Sequence, residues 1–102
     1  METWKLEELQ VIAQEIVDKT KERGESKGFF IHETNKIYLE CECTADYTPV
    51  VYYRDTGYEG GDLCGLDISN IDGCWIDAEG SEFDLTEEEK QALQDAVNEL
   101  IH

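Results

Sequence analysis

Four cysteines, Cys41, Cys43, Cys64 and Cys74, are the first residues whose type could do chemistry. Four thiolates can hold a tetrahedral zinc ion, usually from two Cys-x2-Cys knuckles in which a tight turn brings two sulfurs to one metal. Here a single residue separates Cys41 from Cys43, and 20 and then nine residues intervene before Cys64 and Cys74. That spacing suits a strand better than a knuckle. Reduced cysteine packs as a small hydrophobe, so Cys41 and Cys43 are expected to fill apolar positions on a buried strand face.

The segment from Asp55 offers a second chemistry. An EF-hand loop needs oxygen ligands at positions 1, 3, 5 and 12, with glycine at 6. Glu59 and Gly60 fall at 5 and 6, but Gly57 falls at 3 and Leu66 at 12, so two key ligands are missing. Asp67, Asn70 and Asp72 add oxygens without a ligand spacing. The same segment is rich in glycine, yet a phosphate cradle needs backbone amides and a lysine. No Lys or Arg lies within residues 55–62, and Asp55, Glu59 and Asp62 would repel an anion. His32 and His102 are the only histidines, and neither sits in a recognisable nucleophile context. The expectation is a protein that is not an enzyme and takes no cofactor.

Charge is the strong signal. The 102 residues carry 25 acids and 8 bases, a net charge of −17. Residues 1–36 hold six bases against eight acids, whereas residues 37–102 hold only Arg54 and Lys90 against 17 acids. So few bases exclude a direct grip on a phosphate backbone, which needs clustered Lys and Arg. The complementary partner is a basic protein, or one that normally holds nucleic acid. A compact chain of this length is roughly 34 Å across. Duplex DNA of that length bears roughly 20 phosphates, the same order as the acids of residues 37–102. A net charge of −17 also exceeds the magnitude of about 2–8 that serves solubility in a small domain.

The elements that must position these residues are legible from periodicity. Residues 4–22 place Leu6, Leu9, Ala13, Ile16, Val17 and Thr20 at helical spacing, with Ile12 widening the stripe and Gly24 as the stop. Residues 27–33 and 36–44 read as a β-hairpin, in which Ile37, Leu39, Cys41 and Cys43 alternate with Tyr38, Glu40 and Glu42. Thr48–Arg54 reads as a third strand, Asp55–Asp62 as a loop, and Leu63–Ile71 as a strand ended by Gly73. Cys74–Asp77 and Glu82–Asp84 flank a tight turn. Thr86 with Glu89 forms a capping box before a helix whose stripe is Leu93, Ala96, Val97, Leu100 and Ile101. The prediction is one α+β domain over residues 1–102: an N-terminal helix, an antiparallel sheet of four to six short strands and a C-terminal helix. At least half of the ten aromatic residues are expected in its core. Two helices covering one sheet face would leave Tyr38, Glu40 and Glu42 on the other.

The order of these parts resembles small acidic hypothetical proteins encoded by tailed phages and prophages. The resemblance rests on Ile37–Cys43, Tyr52-Tyr53, Thr56-Gly57-Tyr58, Leu66-Asp67-Ile68 and Leu85-Thr86-Glu87-Glu88, and covers residues 36–102. It implies a phage or mobile-element setting and brings no assigned activity. No apolar run approaches the 18 residues of a membrane span, and Met1–Leu6 does not open a signal peptide, so the cytoplasm is the expected compartment. The leading expectation is a non-enzymatic acidic protein that occludes a basic nucleic-acid-binding site on a partner. The residues expected to carry it are Glu40, Glu42, Asp46, Asp55, Glu59, Asp62, Asp67, Asp72 and Asp77, rimmed by Tyr38 and Tyr58. The alternative is a structural or assembly component whose charge serves solubility, with Trp4 as a candidate contact. Neither the oligomeric state nor the face on which the acids fall is readable from the residues.

Overall fold

A computed structural model describes residues 2–55 and 57–101, with Tyr58 and Glu59 described by their backbone alone. Thr56 and His102, both singled out above, lie outside the described residues, as do the side chains of Tyr58 and Glu59. The chain folds as α1 (Thr3–Arg23), β1 (Lys27–Glu33), β2 (Ile37–Tyr47), β3 (Val51–Tyr53), β4 (Gly57–Glu59), β5 (Leu63–Ile76), β6 (Glu82–Asp84) and α2 (Glu87–Ile101). It is an α+β arrangement. An antiparallel sheet of order β1-β2-β5-β6 carries both helices, and β3 pairs with β4 in a separate two-stranded ribbon.

The alternation in β2 drives the layering. Ile37, Leu39, Cys41, Cys43 and Ala45 are buried, while the residues between them face the other side. They meet Leu9, Ile12, Ala13, Ile16 and Val17 of α1, and Leu93 and Val97 of α2, in one apolar core that also takes in Phe30, Leu66 and Trp75. Fully burying a side chain of this kind is worth about 1.5–3 kcal/mol. The ends of the two helical stripes fall outside this core: Leu6 and Leu100 are exposed. At the start of α2 the Thr86 hydroxyl accepts from the Glu89 N–H at 3.2 Å and the Glu89 carboxylate accepts from the Thr86 N–H at 2.8 Å. This is the reciprocal cap expected of Thr-x-x-Glu. Gln94 of α2 then reaches β5, donating to the Leu66 carbonyl at 2.9 Å and accepting from the Ile68 N–H at 2.8 Å. Two backbone groups of the β5 stretch that β6 does not reach are thereby satisfied.

Three expectations need correction. Gly73 does not end a strand; β5 runs through it to Ile76. A Cβ there would stand 2.2 Å from the Tyr38 carbonyl oxygen and 2.9 Å from the Leu39 Cα. Glycine marks a close approach of β2 and β5, one of the two meanings it has inside a strand. Thr48–Arg54 contributes only the three residues of β3, and the segment read as a loop from Asp55 to Asp62 contains β4. These two strands continue the β2–β5 arms: the Thr48 N–H donates to the Asp62 carbonyl at 2.8 Å, and Gly61 N–H donates back to the Thr48 carbonyl at 3.0 Å. Gly60, at φ 100°, lets the ribbon bend where a Cβ would meet the Pro49 carbonyl oxygen at 1.9 Å. The long arms make the molecule elongated, 61 × 22 × 19 Å with a radius of gyration of 16.0 Å, rather than the compact body of about 13 Å that length alone suggests.

The third correction concerns the aromatic residues. Among the described side chains only Phe30 and Trp75 are buried; Trp4, Phe29, Tyr52, Tyr53 and Phe83 are exposed. A sheet covered on one side sends every second residue of a strand to solvent, and no helix lies over the ribbon's Val51–Tyr53, whose three residues are all exposed.

Candidate protein-binding face

The uncovered side of the sheet can be read from the registers, because directly opposed residues of antiparallel strands share a face. β1 sends Lys27, Phe29, Ile31 and Glu33 to it, opposite Thr44, Glu42, Glu40 and Tyr38 of β2. On the other side of β2, Asp67 opposes Thr44, Ser69 opposes Glu42, Asp72 opposes Glu40 and Cys74 opposes Tyr38. Asp84 and Glu82 of β6 continue the face opposite Cys74 and Ile76. Asp46 leans over Gly65, where a Cβ would touch its Oδ2 at 3.3 Å.

Among the described residues, eight carboxylates therefore share one face with a single base, Lys27. Sequence reasoning placed Tyr38, Glu40, Glu42, Asp46, Asp67 and Asp72 among the binding residues, and the fold brings those six together. It missed Glu33, Glu82 and Asp84, whose alternation was readable only once β1 and β6 had a register. Asp55 and Asp62 do not join them; they lie with the β3–β4 ribbon. Asp77 serves the β5–β6 turn instead, its Oδ1 accepting from the N–H of Glu79 at 2.9 Å and of Ser81 at 2.8 Å.

A bulge shapes the centre of the face. Asn70 and Ile71 together oppose Cys41, with Asn70 at φ 50°, a conformation that asparagine tolerates. The extra residue lets Asn70 Nδ2 donate to Glu42 Oε2 at 2.7 Å. Next to it the Tyr38 hydroxyl donates to Glu40 Oε2 at 2.9 Å. That hydrogen bond, followed by burial and the charges of Glu40, Glu33 and Asp72, raises the Tyr38 phenol above its ordinary value. Burial and the carboxylates of Glu82, Asp84 and Asp72 raise the Cys74 thiol likewise, against a smaller opposite pull from a backbone hydrogen bond with Tyr38. Both groups register the negative field of the face.

The ion-paired lysines lie elsewhere. Lys5 pairs with Glu89 at 3.7 Å, Lys36 with Glu8 at 3.8 Å and Lys90 with Glu87 at 3.5 Å, all on acids of the helix layer. Among the described residues no ion pair reaches a carboxylate of the open face. Phe29 and Ile31, each about half exposed, add apolar area beside the acids.

The other candidate chemistries do not assemble. Cys41 and Cys43 are buried toward the helices, whereas Cys64 is exposed and Cys74 lies on the open face, so the four sulfurs do not converge. The neighbouring Cys43 thiol and burial push the Cys41 thiol up, as expected of a core residue. His32 Nδ1 lies 2.8 Å from Glu15 Oε2 rather than against a thiol. Trp4, the candidate assembly contact, packs edge-on against Trp75 with ring centroids 5.3 Å apart. Among the described residues no helix is long and apolar enough to cross a membrane. Comparison with family models, curated proteins and solved structures finds no match to this chain.

Proposed function

We propose that this is a non-enzymatic binding protein whose open, acidic sheet face docks on a basic protein surface that otherwise holds nucleic acid. The observation that carries this reading is the segregation of charge: eight carboxylates on one face, with the described ion pairs confined to the helix layer. From Tyr38 to Asp46 the face extends roughly 26 Å at about 3.3 Å per residue. Seven of the eight carboxylates fall within that length, spread over four strands, with Glu82 one rung beyond Tyr38; this is about one charge per 4 Å, of the order of the roughly 3.4 Å spacing of phosphates along a single strand. The face thus carries charge of the order of one strand of nucleic acid, and both helices pack on the other side of the sheet. Phe29, Ile31 and Tyr38 supply the apolar and aromatic contacts that exposed charges lack. A cytoplasmic setting, in a cell hosting a phage or prophage, accords with the resemblance over residues 36–102. A structural or assembly role is the second reading, favoured by the exposed apolar pair Phe29 and Ile31.

The test is retention of a host protein on the immobilised chain, elution with rising salt, and then competition. The retained protein should lose its nucleic acid when this chain is added. A variant carrying E40Q, E42Q, D67N and D72N should compete about tenfold less well or worse, chiefly through slower association. A retained protein that holds nucleic acid and this chain together, or that binds the variant equally, would overturn the reading.

A further inference from the structure

We propose that the outer edge of β1 pairs with β1 of a second copy, antiparallel about a two-fold axis at Phe30, joining two four-stranded sheets into one of eight strands. The hydrogen-bond phase of the β1–β2 ladder defines which groups are available. The Ala45 N–H donates to the Ser26 carbonyl at 2.7 Å, and the Thr34 N–H donates to the Ile37 carbonyl at 2.9 Å. In an antiparallel ladder only alternate residues bond to a given neighbour, so Gly28, Phe30 and His32 serve β2. Lys27, Phe29, Ile31 and Glu33 turn their N–H and C=O groups away from the sheet. The Phe29 carbonyl accepts from Arg23 Nη1 at 3.2 Å, which confirms the phase. The other outward groups have no partner among the described residues.

The other edges of this sheet are shorter or partly capped. Gln94 caps the free stretch of β5 at Leu66 and Ile68, and β6, the opposite edge, is only three residues long, one of the ways proteins blunt an edge. β1 is seven residues long, and Phe29 and Ile31 on it are 48 % and 51 % exposed. An uncovered edge with exposed apolar side chains is a template for another strand.

The side chains of β1 select its own copy as that strand. With the axis at Phe30, Lys27 faces Glu33 of the second copy and Phe29 faces Ile31 of the second copy, each contact occurring twice. Opposite charges and apolar pairs directly across antiparallel strands are both favourable. The seven-residue overlap is complete, and every outward N–H and C=O meets its complement once Arg23 swings aside from Phe29. A slip by two residues shortens the overlap, separates Lys27 from Glu33 and sets Phe29 against Phe29 or Ile31 against Ile31. Lys27 is the one base of an otherwise acidic face, and the two-fold pairing gives it a carboxylate. Both helix layers fall on one side of the joined sheet, and the acids of both copies fall on the other.

The experiment is the solution mass of the full chain over a concentration series, at about 0.15 M salt, where the screening length of about 8 Å damps repulsion between distant acids but not contact pairs. A two-chain mass is expected. Lys27→Glu and Glu33→Lys should each raise the dimer dissociation constant about tenfold or more, and the double variant K27E/E33K should restore it. Glu33→Lys lowers the net negative charge, so its loss of dimer cannot come from general repulsion. Ile31→Pro removes an N–H that β2 does not use and should also leave single chains, with an unchanged circular dichroism spectrum. Amide exchange at Phe29 and Ile31 should slow as the dimer forms. A single-chain mass at every concentration, a dimer indifferent to K27E and I31P, or a double variant that stays monomeric would each overturn the proposal.

Discussion

Tyr38 and Cys74 face each other across β2 and β5, and each is protonated and neutral at pH 7 in a field of carboxylates. Their folded values are raised, Tyr38 chiefly through its hydrogen bond to Glu40 and Cys74 chiefly through burial. A raised value means that the neutral form is the one the fold prefers. The stability this confers is fully present below the ordinary values of 10.0 for the phenol and 9.0 for the thiol, and is lost as pH rises through the folded values. Thermal melts should therefore fall more steeply above neutral-to-alkaline pH in the parent chain than in Tyr38→Phe. In a Cys64→Ser background, alkylation of Cys74 should reach half its limiting rate at a pH above that of an ordinary thiol. Adding Glu82→Gln and Asp84→Asn should bring that pH down. A profile unmoved by both changes would show that the β6 carboxylates do not act on the thiol.

The elements owe their arrangement to a few contacts between strands and helices. Gly73 lets β2 and β5 approach where a Cβ would collide with the Tyr38 carbonyl and the Leu39 Cα. Backbone cannot rotate out of the way as a side chain can, so Gly73→Ala should destabilise by about 1–3 kcal/mol, as overpacking does. Denaturant titration would measure it. The hairpin, the turn after Asp77 and the capping box of α2 were all legible in the sequence, because each is a local rule satisfied within a few residues. The path of β5 was not. A glycine that ends a strand and a glycine that admits a neighbouring strand look alike until the neighbour is known. Nor was the ribbon legible, since β3 and β4 are short pieces held by Thr48, Gly61 and Asp62 across 14 residues of chain.

At the scale of the molecule, the open face is built against its own stability. Glu40 and Asp72 stand directly opposite each other, and like charges so placed repel. Asp72→Asn should therefore stabilise the fold by about 0.2–1 kcal/mol, read as a higher unfolding midpoint, while weakening the hold on a basic partner. Stabilisation without loss of binding would assign Asp72 no part in the interface. The β1 edge adds a second whole-molecule consequence: an eight-stranded sheet would double the acidic area presented to one partner without adding a residue.

The sequence by itself determined the α+β layering, the burial of Cys41 and Cys43 and the outward turn of Tyr38, Glu40 and Glu42, because strand alternation and helical periodicity are properties of neighbours along the chain. Tertiary structure alone decided that Glu33, Asp67, Asp72, Glu82 and Asp84 join them, that Asp77 is consumed by a turn, and that Lys5, Lys36 and Lys90 pair with acids of the helices. Those outcomes depend on register between strands far apart in sequence, where a shift of one residue sends a carboxylate to the opposite face.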